Sequence, residues 1–254
     1  MRSPLDAHLR LVAEHFRVRS GHFSATSWAR SPQIASLFSE ELVSARPLVI
    51  LDGGSGPGLL TEALHRINPG NQYLNLDLSV NMASLAKGTA PTIVGDVQKM
   101  PLANASVDVV IYRQVLHYCA ELGVALAEAR RVLRHEGRLL IGQFVPLNRA
   151  EQIWMEPLLA LRQPLRKNYF TIEQWSDALA GAGFTLLRST RIGIKESLDS
   201  WLMRYDVAKP NEYAIRRAFN QRDRRMQYPK VWRVGQRVYF RNWFALFVCA
   251  KTCC

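Results

Sequence analysis

The chain contains no uninterrupted apolar run of transmembrane length, and its opening, MRSPLDAHLR, lacks the apolar core of a secretory signal. These two absences argue against an integral membrane protein and make the cytoplasm the expected compartment. Cysteine is also scarce. Cys119, Cys249, Cys253 and Cys254 show no paired CxxC spacing and no histidines arranged for zinc, so no metal site is expected. Cys253 and Cys254 read as a frayed tail, an oxidation liability and not a catalytic pair. There is no internal repeat and no low-complexity tract. Hydrophobic residues make up 48% of the 254 positions, which argues against disorder and allows one large domain with attached elements.

Acidic residues run short, and unevenly. The formal charge is +12, yet the first 110 residues hold nine basic and nine acidic side chains, whereas from Arg204 onward Lys and Arg outnumber Asp and Glu by 12 to 3. The positive end is either a solvated surface or a field that draws nucleic acid, an anionic membrane or an acidic small molecule.

What the chain does have is a glycine-dense bend, Leu51-Asp52-Gly53-Gly54-Ser55-Gly56-Pro57-Gly58, directly after the apolar run PLVIL. A short apolar run of this kind fits a strand buried on both faces of a parallel sheet, and a helix is expected to begin near Gly58. Missing side chains let a ligand approach the backbone, and free amides at a helix start offer donors. Pro57 is compatible with the first helical position. Without a ligand, the same residues would make only a tight strand-to-helix turn.

The flanking pattern alternates. Helices are expected over 4–16 and 32–43, the second capped by Ser31. Strands follow at 47–51, 72–76, 92–94, 106–112 and 137–144, with helices at 59–67, 81–87 and 122–133 between them. Beyond Phe144 come helices at 151–161 and 171–180, a strand at 184–192, and helices at 197–205 and 212–219. The closing run, 237–250, has two apolar halves around Arg241-Asn242, which is compatible with a hairpin or a strand-strand arrangement. The fold class is therefore α/β, a doubly wound, mostly parallel seven-stranded sheet with helices on both faces and a helical lid. The division expected is a lid segment over 1–46, a ligand-binding core over 47–146, and over 147–254 the rest of the sheet with an inserted substrate lid.

Three acids sharpen the bend. Asp52 lies inside it, Asp77 ends the second strand and Asp96 follows the third, and strand ends on one side of such a sheet converge on a ligand crevice. Asp52 either organises the loop or meets a cationic group through water, Asp77 is placed to accept from a ribose hydroxyl, and Asp96 with Val97 can read a base edge. Each is equally readable as a cap or turn residue.

In order and spacing, VILDGGSGPGLL, YLNLDLSVNMASLA, VGDVQKMPLANASVDVVIYRQVLHY and EARRVLRHEGRLLIGQF resemble the class I S-adenosylmethionine-dependent methyltransferases, and most nearly their ubiquinone/menaquinone-biosynthesis-like small-molecule branch. The resemblance covers 48–144. It implies S-adenosylmethionine as cofactor, with S-adenosylhomocysteine as product. Asp52, Gly54, Gly56 and Gly58 match the acidic glycine loop that receives the amino acid part, and Asp77 matches the ribose-holding acid. Leu78 and Met82 match positions near the ribose and adenine, Asp96 and Val97 the adenine-reading pair, and Tyr112 and Arg113 the strand exit near the methionine portion. His117 matches a position that is often histidine. Gly53, Ser55 and Pro57 depart from the common DLGCGTG pattern, which leaves the loop's hydrogen bonding open. A dinucleotide-binding alternative needs GxGxxG, and an acid directly before the glycines suits a sulfonium and ammonium ligand better than a pyrophosphate.

Methyl transfer needs alignment more than a triad, with a base only where the attacking atom carries a proton. His117 is the first candidate for that base and Tyr112 the second, each with a structural role as the alternative. The segment His15 to Trp28 and the side chains Trp154, Tyr169, Phe170, Trp201 and Tyr205 are candidates for the acceptor pocket. Arg204, Arg216 and Arg217 are candidates to neutralise a carboxylate or phosphate. The expected function is methylation of an O, N or C atom of a small, aromatic or anionic metabolite by a monomer or homodimer. An RNA methyltransferase using the basic end, or a noncatalytic cofactor-binding protein, is the alternative.

Overall fold

The computed structural model describes residues 4–21, 27–205, 207–222 and 229–252. Phe23, Cys253 and Cys254 lie outside the described residues. The first half alternates strand and helix: α1 Pro4–Arg19, α2 Pro32–Glu40, β1 Val49–Gly53, α3 Leu59–Ile67, β2 Gln72–Asp77, α4 Val80–Ala86, β3 Thr92–Val94, β4 Val107–Arg113, α5 Leu122–Val132 and β5 Leu133–Val145. The second half adds α6 Arg149–Arg162, α7 Ile172–Gly181, β6 Phe184–Ser197, α8 Leu198–Met203, α9 Lys209–Gln221, β7 Val231–Val234 and β8 Arg237–Lys251.

The sheet has eight strands in the order β3-β2-β1-β4-β5-β8-β6, with β7 paired to β8. The first five are parallel, and β8 runs antiparallel to both β5 and β6. The expected doubly wound α/β sheet is present with one strand more than expected, because short β7 forms a hairpin with the start of β8. A hairpin within 237–250 is not formed. Arg241 and Asn242 instead sit inside one continuous β8, facing Lys195 and Ile194 of β6. Two polar residues are tolerated there because the β6 ladder runs unbroken past both, and the Arg241 amide donates to the Lys230 carbonyl at 2.9 Å on the other side.

Period-two alternation divides the core between the two faces of the sheet. Val109 and Ile111 of β4 pack with Ile34 and Phe38 of α2 and Leu60 of α3, while Val110 and Tyr112 pack on the other face with Ala125 and Ala129 of α5 and Trp175 of α7. Every residue of β4 is buried, as expected for a central parallel strand. A third cluster ties α6, α8 and α9 to β8 through Leu159, Trp201, Ile215, Phe219 and Phe240. Caps set several helix starts. Ser31 accepts from the Ile34 amide ahead of α2, and Thr171 with Gln174 closes a reciprocal capping box on α7. No described helix is long and apolar enough to cross a membrane.

Candidate functional site

The carboxyl ends of β1, β2, β3 and β4 open into one cleft, partly continuous with solvent. Its first wall is the glycine bend. Gly54, Gly56 and Gly58 all have positive φ, at 70°, 56° and 75°. Only glycine takes that region at low cost, and at Gly54 a Cβ would also come within 2.3 Å of the Val115 side chain. α3 begins at Leu59 with Gly58 as its cap, so Pro57 belongs to the turn before the cap and not to the first helical position.

The acids behind this bend do different work. Asp77 accepts from the Gly56 amide at 2.7 Å and the Ser79 amide at 2.8 Å, fixing the bend to the start of α4. Burial raises its pKa, while those two bonds oppose the rise. A carboxylate has about four lone-pair sites, so Asp77 still has acceptor capacity toward the cleft that it lines. Asp52 does not line the cleft. It sits beneath the bend, where the Thr61 hydroxyl lies 3.0 Å from its Oδ2 and 2.7 Å from Asn75 Oδ1. Burial pushes Asp52 up to about 6 against the opposing pull of Arg113 and Thr61. Asp96 accepts from the Gln98 amide at 2.9 Å and, with Val97, Leu78 and Met82, lines the adjoining wall.

Arg113 lines the cleft at the end of β4. It donates to the Ala29 carbonyl at 2.8 Å and lies 5.4 Å from the Trp28 ring. Burial draws it down to about 10, and Asp52 acts in the opposite direction. Tyr112, its neighbour, points to the other face. That side chain is fully buried in the core with its hydroxyl 3.4 Å from the Ala125 carbonyl, and it does not border the cleft. The alternation of β4 makes this necessary, since adjacent residues leave opposite faces. Gly58 is likewise outside the lining, held against Thr89.

His117 lines the cleft from the short turn after β4, and its Nδ1 lies 2.9 Å from Gln143 Oε1. Burial holds its pKa well below the ordinary histidine range, and Arg166 adds to the effect. The ring is therefore neutral. Because an amide oxygen only accepts, Nδ1 carries the proton and Nε2 has a lone pair, with no described residue bonded to it.

The far wall comes from α1, α6, α8 and the loops after them: Leu9, Val12 and Phe16 of α1, Met155 and Leu159 of α6, and Trp201. Tyr169, Trp201 and Tyr205 border the cleft as anticipated, whereas Trp154 packs on Phe219 and Phe170 on Trp175. Arg204 borders it too, paired with Glu196. Arg216 is engaged by Asp199 and Glu212, Arg217 is exposed, and both lie outside the lining. Sequence reasoning did not find Gln98, Gln114, Tyr118, Arg162, Gln163 and Arg166. Of these only Gln114 carries a local structural mark, a φ of 61° at the β4 exit, and sequence does not display it.

Residues 51–141 match the family described as a methyltransferase domain. The solved structures agree over nearly the whole chain. The YcgJ protein of Bacillus subtilis superposes with a TM-score of 0.76 at 18% identity, over 88% of this chain and 100% of that one. A Burkholderia thailandensis 1,6-didemethyltoxoflavin-N1-methyltransferase, solved with 1,6-didemethyltoxoflavin and S-adenosylhomocysteine, gives 0.61 at 18% identity over 100% of this chain and 92% of that one. The fold is that of the class I methyltransferases.

Among curated relatives, the malonyl-[acyl-carrier protein] O-methyltransferase of Legionella pneumophila is 33% identical over 122 residues, covering 45% of this chain and 43% of that protein. The enzyme of the same name from Herminiimonas arsenicoxydans is 37% identical over 109 residues, 42% of each chain. The chain thus spans about half or less of the length of the curated relatives it matches. These matches support the methyltransferase fold without singling out the ubiquinone/menaquinone-like branch.

The residues present fit S-adenosylmethionine. The side-chain-free Gly54 and Gly56 leave a cradle, Asp77 and Asp96 keep acceptor capacity beside it, and the buried Ser55 hydroxyl has no protein partner among the described residues. This methyltransferase fold supports enzymatic methyl transfer.

Proposed function

We propose that the protein uses S-adenosylmethionine to methylate an O, N or C atom of a small metabolite, aromatic or anionic in character. The observation that carries this reading is the continuity of the cleft. One space runs from Gly54, Asp77 and Asp96 to an aromatic-walled chamber beneath α1 and α6. Such a chamber favours a metabolite over RNA, which calls for an open basic groove. The O-methylation named for the curated relatives supports oxygen as the receiving atom, and a ubiquinone- or menaquinone-like phenol is one acceptor of that kind.

In this reading Gly54, Gly56 and Arg113 hold the amino acid part of the cofactor, Asp77 and Leu78 its ribose, and Met82, Asp96 and Val97 its base. Asp52 stiffens the bend from below. When bound, S-adenosylmethionine supplies a methyl group made electrophilic by its sulfonium. The chain's own task is then to align the acceptor and exclude water. His117 Nε2 serves as a hydrogen-bond acceptor that orients a donor group, because a nitrogen whose pKa is so depressed takes a proton weakly. Tyr112 supports β4 from the core. The helices α1, α6 and α8, which form the far wall of the cleft, act as a lid over the 47–146 core.

Calorimetry with S-adenosylmethionine, followed by methyl-label transfer into small-metabolite and RNA fractions, tests the reading. Saturable binding and label in small metabolites are expected. No binding by the folded protein, or label confined to RNA, would overturn it.

A further inference from the structure

At the lid end of the cleft, the cations outnumber the anions that answer them. Arg162, at the end of α6, is buried, and it donates through Nε and Nη2 to the Trp201 carbonyl at 2.9 and 2.7 Å. Arg166, partly accessible where it lines the cleft, donates to the Asn168 carbonyl at 2.8 Å and to Gln163 Oε1 at 3.1 Å. Neither guanidinium has a carboxylate within ion-pair distance among the described residues. Glu156 acts on Arg166 only from a distance and is exposed. Arg204, which lines the same cleft, shows the contrast, since buried Glu196 answers it. Each unanswered guanidinium spends two of its five N–H donors on protein oxygens, leaving three for another group.

The groups around them register the same imbalance. Burial opposes ionisation of Tyr205, yet Arg19 and Arg162, each 3.9 Å from its ring centroid, draw its phenol below the ordinary range. His15 is pushed down to about 4 by burial, then by Arg19 and Arg162. Tyr118 and Gln163 complete a hydrogen-bonded patch with Tyr205, with Tyr118 Oη 3.1 Å from Tyr205 Oη. A buried cation without a counterion is costly, and a ligand that brings the missing negative charge recovers that cost.

We propose that the lid end of this cleft is a carboxylate-recognition site, in which Arg162 and Arg166, beside Tyr118 and Gln163, hold an anionic group of the methyl acceptor. The planar fork of a guanidinium matches a carboxylate, and aromatic walls at Tyr169 and Trp201 fit an apolar or aromatic body attached to it. This deepens the methyl-transfer reading, naming the class of acceptor that the same cleft takes.

The test is a calorimetric titration of the full chain with benzoate and with benzamide, which share shape and differ in charge, with and without S-adenosylhomocysteine. Benzoate should bind at least about tenfold more tightly than benzamide. Arg166→Gln should bring the two within about twofold while leaving S-adenosylhomocysteine affinity unchanged, and exposed Arg217→Gln should keep the full preference. Equal affinities in the wild type, or a preference that survives Arg166→Gln, would overturn the site. If Arg166→Gln fails to fold, the wild-type comparison decides, and Arg166→Lys, which keeps the charge but loses the fork, should give an intermediate preference. S-adenosylhomocysteine binding without a benzoate preference sinks the carboxylate site alone. A preference without S-adenosylhomocysteine binding sinks methyl transfer alone.

Discussion

At the glycine-bend end of the cleft the acids are answered by backbone amides no more than 21 residues away, whereas at the lid end cations meet from distant segments with few acids among them. Asp77 serves amides of residues 56 and 79, Asp96 serves its neighbour at 98, and the bend is shaped by its own glycines. Arg19, Arg162, Arg166 and Arg204 come instead from α1, the end of α6, the loop after it and the end of α8. The difference teaches that the glycine cradle forms from local backbone geometry, while the arginine cluster exists only because helices far apart in the chain are brought together.

The largest effect expected from breaking the comparison is at Asp77. Asp77→Ala removes two charge-assisted bonds that fix the bend and should weaken S-adenosylmethionine binding by about 100-fold or more, read by calorimetry. Benzoate binding at the other end should change little. Gly54→Ala should cost about tenfold or more in the same titration, because its φ of 70° is strained for alanine and its Cβ meets Val115.

His117 separates orientation from base catalysis. His117→Gln should lower kcat by about tenfold or less, whereas removal of a general base would cost about 10²- to 10⁴-fold. The pH–rate profile should show no histidine inflection between 6 and 7, since the neutral ring persists through that range.

A smaller effect concerns stability. His15 and His117 have folded pKa values below the ordinary one, so the unfolded chain takes up protons first as pH falls beneath about 6.5. Their contribution is present above that pH and lost on acidification, by at most about 1.4 kcal/mol per pH unit for each group. Asp52 runs the other way. Its pKa is raised to about 6, so its contribution is present at low pH and fades as pH rises through 6. Thermal melts at pH 5 and 7.5 should show a smaller acid loss in His117→Gln than in the wild type.

The smallest effect belongs to the basic end that dominates the composition. Arg217→Ala should shift both benzoate affinity and melting temperature negligibly, because an exposed side chain outside the cleft gains little from its partners.

Much of the donor end was legible because its determinants are contiguous. A strand, a glycine bend and a helix cap lie within ten residues of one another, and an acid stands at or within two residues of the end of each of the first three strands. Strand-level resolution was weaker. The sequence of β4 names Tyr112 and Arg113 side by side, but only the pleat sends Arg113 into the cleft and Tyr112 into the core. The polar pair Arg241-Asn242 reads as a turn until β6 and β8 are seen to pair across it. The segment RQPLR, ending α6 and opening the next loop, looks like any solvated helix terminus, because burial of Arg162 depends on Trp201 and Tyr205 arriving from far along the chain.

The sequence by itself determined the α/β alternation, the order of the central elements and the glycine cradle, since hydrophobic period and positive-φ demand are properties of a few adjacent residues. The tertiary structure alone decided which arginines line the lid end of the cleft, which histidines stay neutral and which tyrosine is core. Charge, desolvation and facing direction arise from groups brought together in space, and no local pattern records them.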